Sequence, residues 1–367
     1  MKSFYSLLIL FLMIMKISAQ KENNQLDSLL SSVYKINEPG AAVAVVNDGN
    51  LIFEKGYGIA DLDSKSIISA STNFNICSMT KQFTAYGILL LQKQKKISLD
   101  DKLNKYFPDF NPKVAEKVSI RNLLTHSSGI VDHYSYVDKK QFTQFWDKDV
   151  YNAVRSVDSS YSTAGSKYQY SNTAFCLLAR VIEKVSGKSF SDFVKENIYN
   201  PLKMNASDVI KPDFNISNRA YGYEFENDTF KIADAKQSLF FSTQGDGGIY
   251  TSINDYLKWI TAIQTGKGID ADLIKEAQSK QFTIDAAKDI SYGYGWFVAG
   301  NSKNIVVYHT GSNGGFRTIV VMHPAKKYSV VIFSNRTGID LEDLVRKINK
   351  IYGIDDAAFV KLDSLIS

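Results

Sequence analysis

The stretch that most constrains the fold is Asn73-Phe-Asn-Ile-Cys-Ser-Met-Thr-Lys-Gln-Phe83. It runs on through a largely apolar segment to Leu91 that has no proline and a single glycine, Gly87. A helix that is apolar on most of its faces has to be buried, so the rest of the chain must wrap around it. Its first turn is predicted to be Ser78 to Lys81, and residues three apart on a helix share a face. The positive end of the helix dipole opposes an ammonium at that place, and desolvation by the apolar run opposes it further. A neutral amine beside a serine hydroxyl is a general base beside a nucleophile. The Ser78 N–H, unpaired at a helix start, could also hold an oxyanion.

Ser-x-x-Lys is a weak pattern by itself. It occurs at Ser18–Lys21, Ser32–Lys35 and Ser78–Lys81, and the competing reading makes Ser78 an ordinary helix N-cap.

Residues 1–19 read as a secretory signal: Lys2, an apolar run Leu7–Met15, then Ile17-Ser-Ala19 before Gln20. That run is too short to span a bilayer, and no later stretch approaches membrane length. A soluble periplasmic or secreted protein is expected, with an uncleaved anchor as the alternative. The 367 residues allow two domains or one large one. There are 43 basic and 38 acidic side chains, a balance of +5, or +3 once Lys2 and Lys16 leave with the signal. So small a balance, with no basic block, speaks against nucleic-acid binding. Export would permit a disulfide between Cys77 and Cys176, but two buried free thiols are the expectation. Cys77 as nucleophile lacks a base at helical spacing. His126, His133 and His323 lack metal-ligand spacing, so no metal or cofactor is expected. Glycosylation sequons fall at Asn205, Asn215, Asn227 and Asn335.

Along the chain, residues 22–36 suit an amphipathic helix with Leu26, Leu29, Leu30 and Val33 on one side. A strand pair follows, Ala41–Val46 and Leu51–Phe53, around the turn Asn47-Asp-Gly-Asn50. From 78 to about 265 the pattern is helical with long loops. Its strongest helices are Asn172–Val185, stopped by Gly187, and Ile253–Thr265. After about 290 come four strand-like runs, Gly293–Val298, Ile305–His309, Arg317–Met322 and Tyr328–Phe333, then a closing helix Leu341–Ile351. Connections this short make the strands antiparallel. The expected fold is α+β. An antiparallel sheet from 20–77 and 290–367 is flanked by N- and C-terminal helices, 78–289 is inserted as a mostly helical domain, and a cleft lies between.

Two further stretches bear on chemistry. Tyr170-Ser-Asn172 is the only Tyr-x-Asn in the sequence and opens the Asn172–Val185 helix. The tyrosine could share a proton with Lys81, and the Asn172 amide could hold both Lys81 and a substrate carbonyl; an Asn N-cap beside a packed tyrosine is the plainer alternative. His309-Thr-Gly311-Ser-Asn-Gly-Gly315 ends one late strand and turns into the next. Its small residues would let a substrate backbone approach, with the Ser312 N–H as a second oxyanion donor. His309 could donate to substrate or tune Tyr170; a glycine-rich hairpin with a surface histidine is the plainer alternative.

Taken in order, the three motifs resemble those of the serine penicillin-recognising enzymes. The likeness is closest to the branch holding class C β-lactamases, D-alanyl-D-alanine carboxypeptidases, esterases and D-amino-acid peptidases. Asn122-Leu-Leu-Thr-His-Ser-Ser-Gly-Ile130 and Gly247-Gly-Ile-Tyr-Thr-Ser252 add to a resemblance covering about residues 25–350. It implies Ser78 as nucleophile, Lys81 as its activating partner, Tyr170 as proton relay and Asn172 as substrate amide ligand. It also implies His309, Thr310 and Gly311 as the third motif, and the Ser78 and Ser312 N–H groups as the oxyanion hole. The implied reaction is acyl transfer through a serine ester, then hydrolysis, on a small peptide, ester or β-lactam, with peptidoglycan stem peptides among the candidates. One departure stands out: His309 replaces the lysine usual in class C β-lactamases. A histidine is mostly uncharged at neutral pH, so a fixed cation for a β-lactam carboxylate is missing unless Arg317, Arg336 or Asn335 supplies a substitute. This favours a peptidase or esterase over an efficient β-lactamase. A non-catalytic binding or scaffold protein on the same fold is the alternative of another class.

Overall fold

In a computed structural model of the chain, the described residues are 20–137, 144–212, 215–233, 242–301 and 303–361. The signal read at 1–19 lies outside them.

Residues 20–33 form helix α1, whose Leu26 and Leu30 are fully buried. A hairpin follows: β1, Ala41–Asn47, buried along nearly its whole length, and β2, Asn50–Tyr57, whose outer face is wet. Among the longer helices, α2, Lys81–Lys93, and α3, Asn172–Ser186, follow. Next come α4, Ile253–Thr265, and the strands β3, Phe282–Asp285, β4, Ile290–Tyr292, and β5, Phe297–Ala299. β6, Val306–Asn313, β7, Phe316–His323, and β8, Tyr328–Ser334, precede α5, Leu341–Ile351.

All eight strands form one antiparallel sheet in the order β3-β4-β5-β6-β7-β8-β1-β2. The two ends of the chain meet inside it, where Ala41 pairs with Ser334 and Val46 with Ser329. Side chains alternate across a strand, and the two faces divide accordingly. Val43, Val45, Ile319, Val321, Val330 and Ile332 pack against α1 and α5. Val320, Val331 and Phe333 face the helical region, where Phe83 of α2 stacks on Trp259 of α4 at 4.7 Å between ring centroids. α2 is buried on nearly every residue, as its all-round apolar pattern requires.

Two expectations about the strands need correcting. The run 293–298 is a hairpin, not one strand: β4 and β5 pair as Tyr292↔Phe297 around a turn at 293–296. Gly295 takes φ +76° there, and a Cβ on it would lie 2.6 Å from the Lys81 carbonyl oxygen. Only glycine combines that backbone with that approach, so the apolar run hid a turn. The sheet also takes in β3, ahead of the boundary read at 290. β3 is a short edge strand, partly exposed, and too mixed in character to announce itself.

Candidate active site

Ser78 does not cap a helix. It sits in a 3₁₀ turn, Cys77–Thr80, whose N-cap position is Ile76, and α2 begins only at Lys81. The preceding Cys77 is held at φ +50°, a conformation costing on the order of 1 kcal/mol or more for a residue with a Cβ. Its N–H donates to Asn75 Oδ1 at 2.6 Å, which helps hold that conformation. The turn leaves Ser78 half-buried while Cys77, Met79 and Thr80 are buried around it. The Cys77 thiol points at backbone carbonyls of Asn75 and Asn313, and burial pushes it up to about 12. It is therefore no thiolate nucleophile. Cys77 and Cys176 are both free and buried.

Lys81 is fully buried. Its Nζ lies 3.1 Å from Ser78 Oγ and donates to Asn172 Oδ1 and to the Asp246 carbonyl, each at 2.9 Å. The rings of Tyr170 and Phe175 cover it, with centroids 4.9 Å and 5.5 Å from Nζ. Asn172 can serve because it is not the cap: Ser171 takes that role, its Oγ accepting from the Ala174 N–H. The Asn172 side chain is thus free on the first turn of α3, and its Nδ2 donates to the Tyr134 hydroxyl at 3.3 Å.

Tyr170 meets the amine with its ring rather than through a hydroxyl–amine hydrogen bond. That ring stacks on buried His126, 4.2 Å between centroids. His126 Nδ1 in turn accepts from the Ser171 N–H at 3.0 Å, so its proton sits on Nε2. Burial, with Lys81 nearby, holds His126 well below the usual histidine range.

His309 is fully buried and is not a surface histidine. Its Nδ1 must donate to the Thr310 carbonyl at 2.6 Å, because a carbonyl only accepts. Nε2 then accepts from the Tyr292 hydroxyl at 3.1 Å. Burial first, and the Lys81 charge second, push His309 down to about 3. It is neutral, and both nitrogens are occupied within the protein. Its ring lies 6.4 Å from that of Tyr170, centroid to centroid.

β6 is pressed against the turn that carries Ser78. A Cβ on Gly311 would lie 2.4 Å from the Ile76 carbonyl oxygen and 2.9 Å from Cys77 Cβ. Thr318, opposite Gly311 on β7, donates from Oγ1 to that same Ile76 carbonyl at 2.9 Å. Thr310 is half-buried and Ser312 exposed along this edge of the cleft.

Of the suggested substitute anion ligands, two are committed elsewhere. Asn335 donates to the carbonyls of Ile59, Ala60 and Tyr221 and accepts from the Gly40 N–H, so its sequon lies on a buried amide. Arg336 pairs with Glu38 at 2.6 Å. Arg317 stands opposite Ser312 in the β6–β7 register, half-buried, and donates to the Phe316 carbonyl.

Three participants escaped the motif reading: the Asp246 carbonyl, Tyr134 and His126. Gly245-Asp-Gly-Gly248 betrayed a tight loop but not its target. Tyr134 lies in a stretch of irregular aromatic composition with no periodicity to single it out.

The beta-lactamase family matches residues 26–351. Penicillin-binding protein 4* of Bacillus subtilis is 26% identical over 86% of this chain and 72% of its own length. The octameric penicillin-binding protein homologue from Pyrococcus abyssi superposes with a TM-score of 0.78 at 24% identity, over 90% of this chain and 78% of that one. The D-amino acid amidase from Ochrobactrum anthropi SV3 superposes with a TM-score of 0.75 at 21% identity, over 91% of this chain and 99% of that one. With the family match spanning nearly all of the described fold, the chain belongs to the beta-lactamase family of serine hydrolases.

Proposed function

We propose that this protein is an exported hydrolase that cleaves an amide or ester through an acyl-enzyme on Ser78, with D-amino-acid peptides or simple esters as substrates. The observation that carries this reading is the set of partners around Lys81 Nζ. Asn172 Oδ1 and the Asp246 carbonyl can only accept. In the neutral amine they take both N–H bonds, and the lone pair is left facing Ser78 Oγ, 3.1 Å away. Lys81 then takes the hydroxyl proton as Oγ attacks the carbonyl carbon. The oxyanion is held by the N–H groups of Ser78 and Ser312. The proton passes from Lys81 to the leaving amine or alcohol, and water hydrolyses the ester by the reverse route.

A neutral, fully engaged His309 supports a peptidase or esterase over an efficient β-lactamase, since it offers no cation to a β-lactam carboxylate. Export rests on residues 1–19 and peptidoglycan stem peptides on the resemblance to penicillin-binding proteins. The test is intact mass after a fluorophosphonate. The wild type should gain one adduct and Ser78→Ala none. A wild type that takes no adduct would favour a non-catalytic scaffold. Nitrocefin should turn over slowly, and rapid Ser78-dependent hydrolysis would restore the β-lactamase reading.

A further inference from the structure

The Asp246 carbonyl does not reach Lys81 by its own stiffness. It lies in a glycine-rich segment, and the peptide planes leading up to it are pinned from outside. The Gln244 N–H donates to Asp147 Oδ1 at 2.9 Å and the Gly245 N–H to Asp147 Oδ2 at 3.0 Å. One carboxyl group thus fixes two successive planes. The next is fixed by Thr84, one turn along α2 from Lys81, whose Oγ1 donates to the Gly245 carbonyl at 2.7 Å. The following carbonyl is the one on Lys81.

Asp147 is the first residue of a short helix, Asp147–Val154, and is buried. It shares its pocket with the Asp246 carboxylate and the Cys176 thiol, the three groups offering atoms all within 4.8 Å of one another. Asp246 Oδ1 is buried there without a hydrogen-bond partner among the described residues. A buried acid beside a second buried acid is a costly arrangement.

We propose that Asp147 is a positioning residue for acyl transfer, holding the 244–246 backbone so that the Asp246 carbonyl occupies one N–H of Lys81 and leaves the lone pair on Ser78. The proposal rests on the reading of Ser78 and Lys81 as nucleophile and base. The groups facing Asp147 are Asp246 from the glycine segment and Cys176 from α3. The charge of Lys81 on α2 also reaches Cys176, and that of Asp246 reaches His133.

The experiment compares wild type, Asp147→Asn, Thr84→Val and Thr84→Ser by the rate of fluorophosphonate labelling across pH, ester kcat and KM, and thermal midpoint. Asparagine keeps the shape but turns an N–H toward the Gly245 N–H. Labelling and kcat should fall about 10- to 100-fold with KM within about twofold, in line with the loss of an aligned base. Thr84→Val should do the same more weakly, and Thr84→Ser should restore the wild-type profile. If Asp147→Asn does not fold, the threonine pair decides. Labelling within twofold of wild type in the folded variants, or a loss carried by KM with kcat unchanged, would make Asp147 a loop anchor only and overturn the proposal. A wild type that takes no label at all would instead defeat the hydrolase reading itself.

Discussion

At Lys81 the chemistry turns on counting. Three N–H bonds meet three partners in the charged form, and two N–H bonds meet two obligate acceptors in the neutral form. Replacing Lys81 by methionine keeps the packing under Tyr170 and Phe175 but removes the base. Labelling of Ser78 should fall by about 10²–10⁴-fold while the thermal midpoint stays the same or rises, since a buried amine is exchanged for a thioether. A midpoint rise without loss of labelling would remove Lys81 from the mechanism. The same counting bears on His309. The residue type suggested a substrate donor, but the Tyr292 hydroxyl and the Thr310 carbonyl use both of its nitrogens. No local pattern reveals a partner supplied by a strand that lies across the sheet.

The elements that carry the site were legible where their signal is local. The apolar run of α2, the αL stop at Gly187 and the alternation of β6 to β8 all point to the observed structure. What was illegible is what a single segment cannot encode. The turn at Ser78 is 3₁₀ because Cys77 is forced left-handed by neighbours, and Asn172 is free because Ser171 took the cap. The seam between β6 and the turn that carries Ser78 is a tight joint. Gly311→Ala would set a methyl 2.4 Å from the Ile76 carbonyl oxygen and 2.3 Å from Thr318 Oγ1, so the strand must shift away by about an ångström. The expected result is a folded protein with labelling of Ser78 lowered about 100-fold. Wild-type labelling in Gly311→Ala would show that this seam does not position the turn.

Across the whole molecule, all four histidines are buried. Burial holds each below its ordinary value: His126 well below, His133 lowered, His309 down to about 3 and His323 to about 4. The unfolded chain therefore takes up protons first, near pH 6.5, and stability is lost as pH falls from there toward 4. Asp147 acts in the opposite sense. Burial, then the Asp246 charge, raises it to about 8, so its contribution is full below its ordinary value and is lost as pH rises through 8. Four groups against one predict a thermal midpoint lower by on the order of 10 °C at pH 4.5 than at pH 7; a flat profile would mean the imidazoles find acceptors on protonation. The splice of both chain ends into one sheet has a further result. Ala41 finds Ser334 only after nearly the entire polypeptide exists, and β6, which braces the serine, is made late as well. On the proposed mechanism, Ser78 and Lys81 leave the ribosome well before the Asn172, Asp246 and Gly311 segments that position them, so the nascent chain carries its own delay against premature hydrolysis.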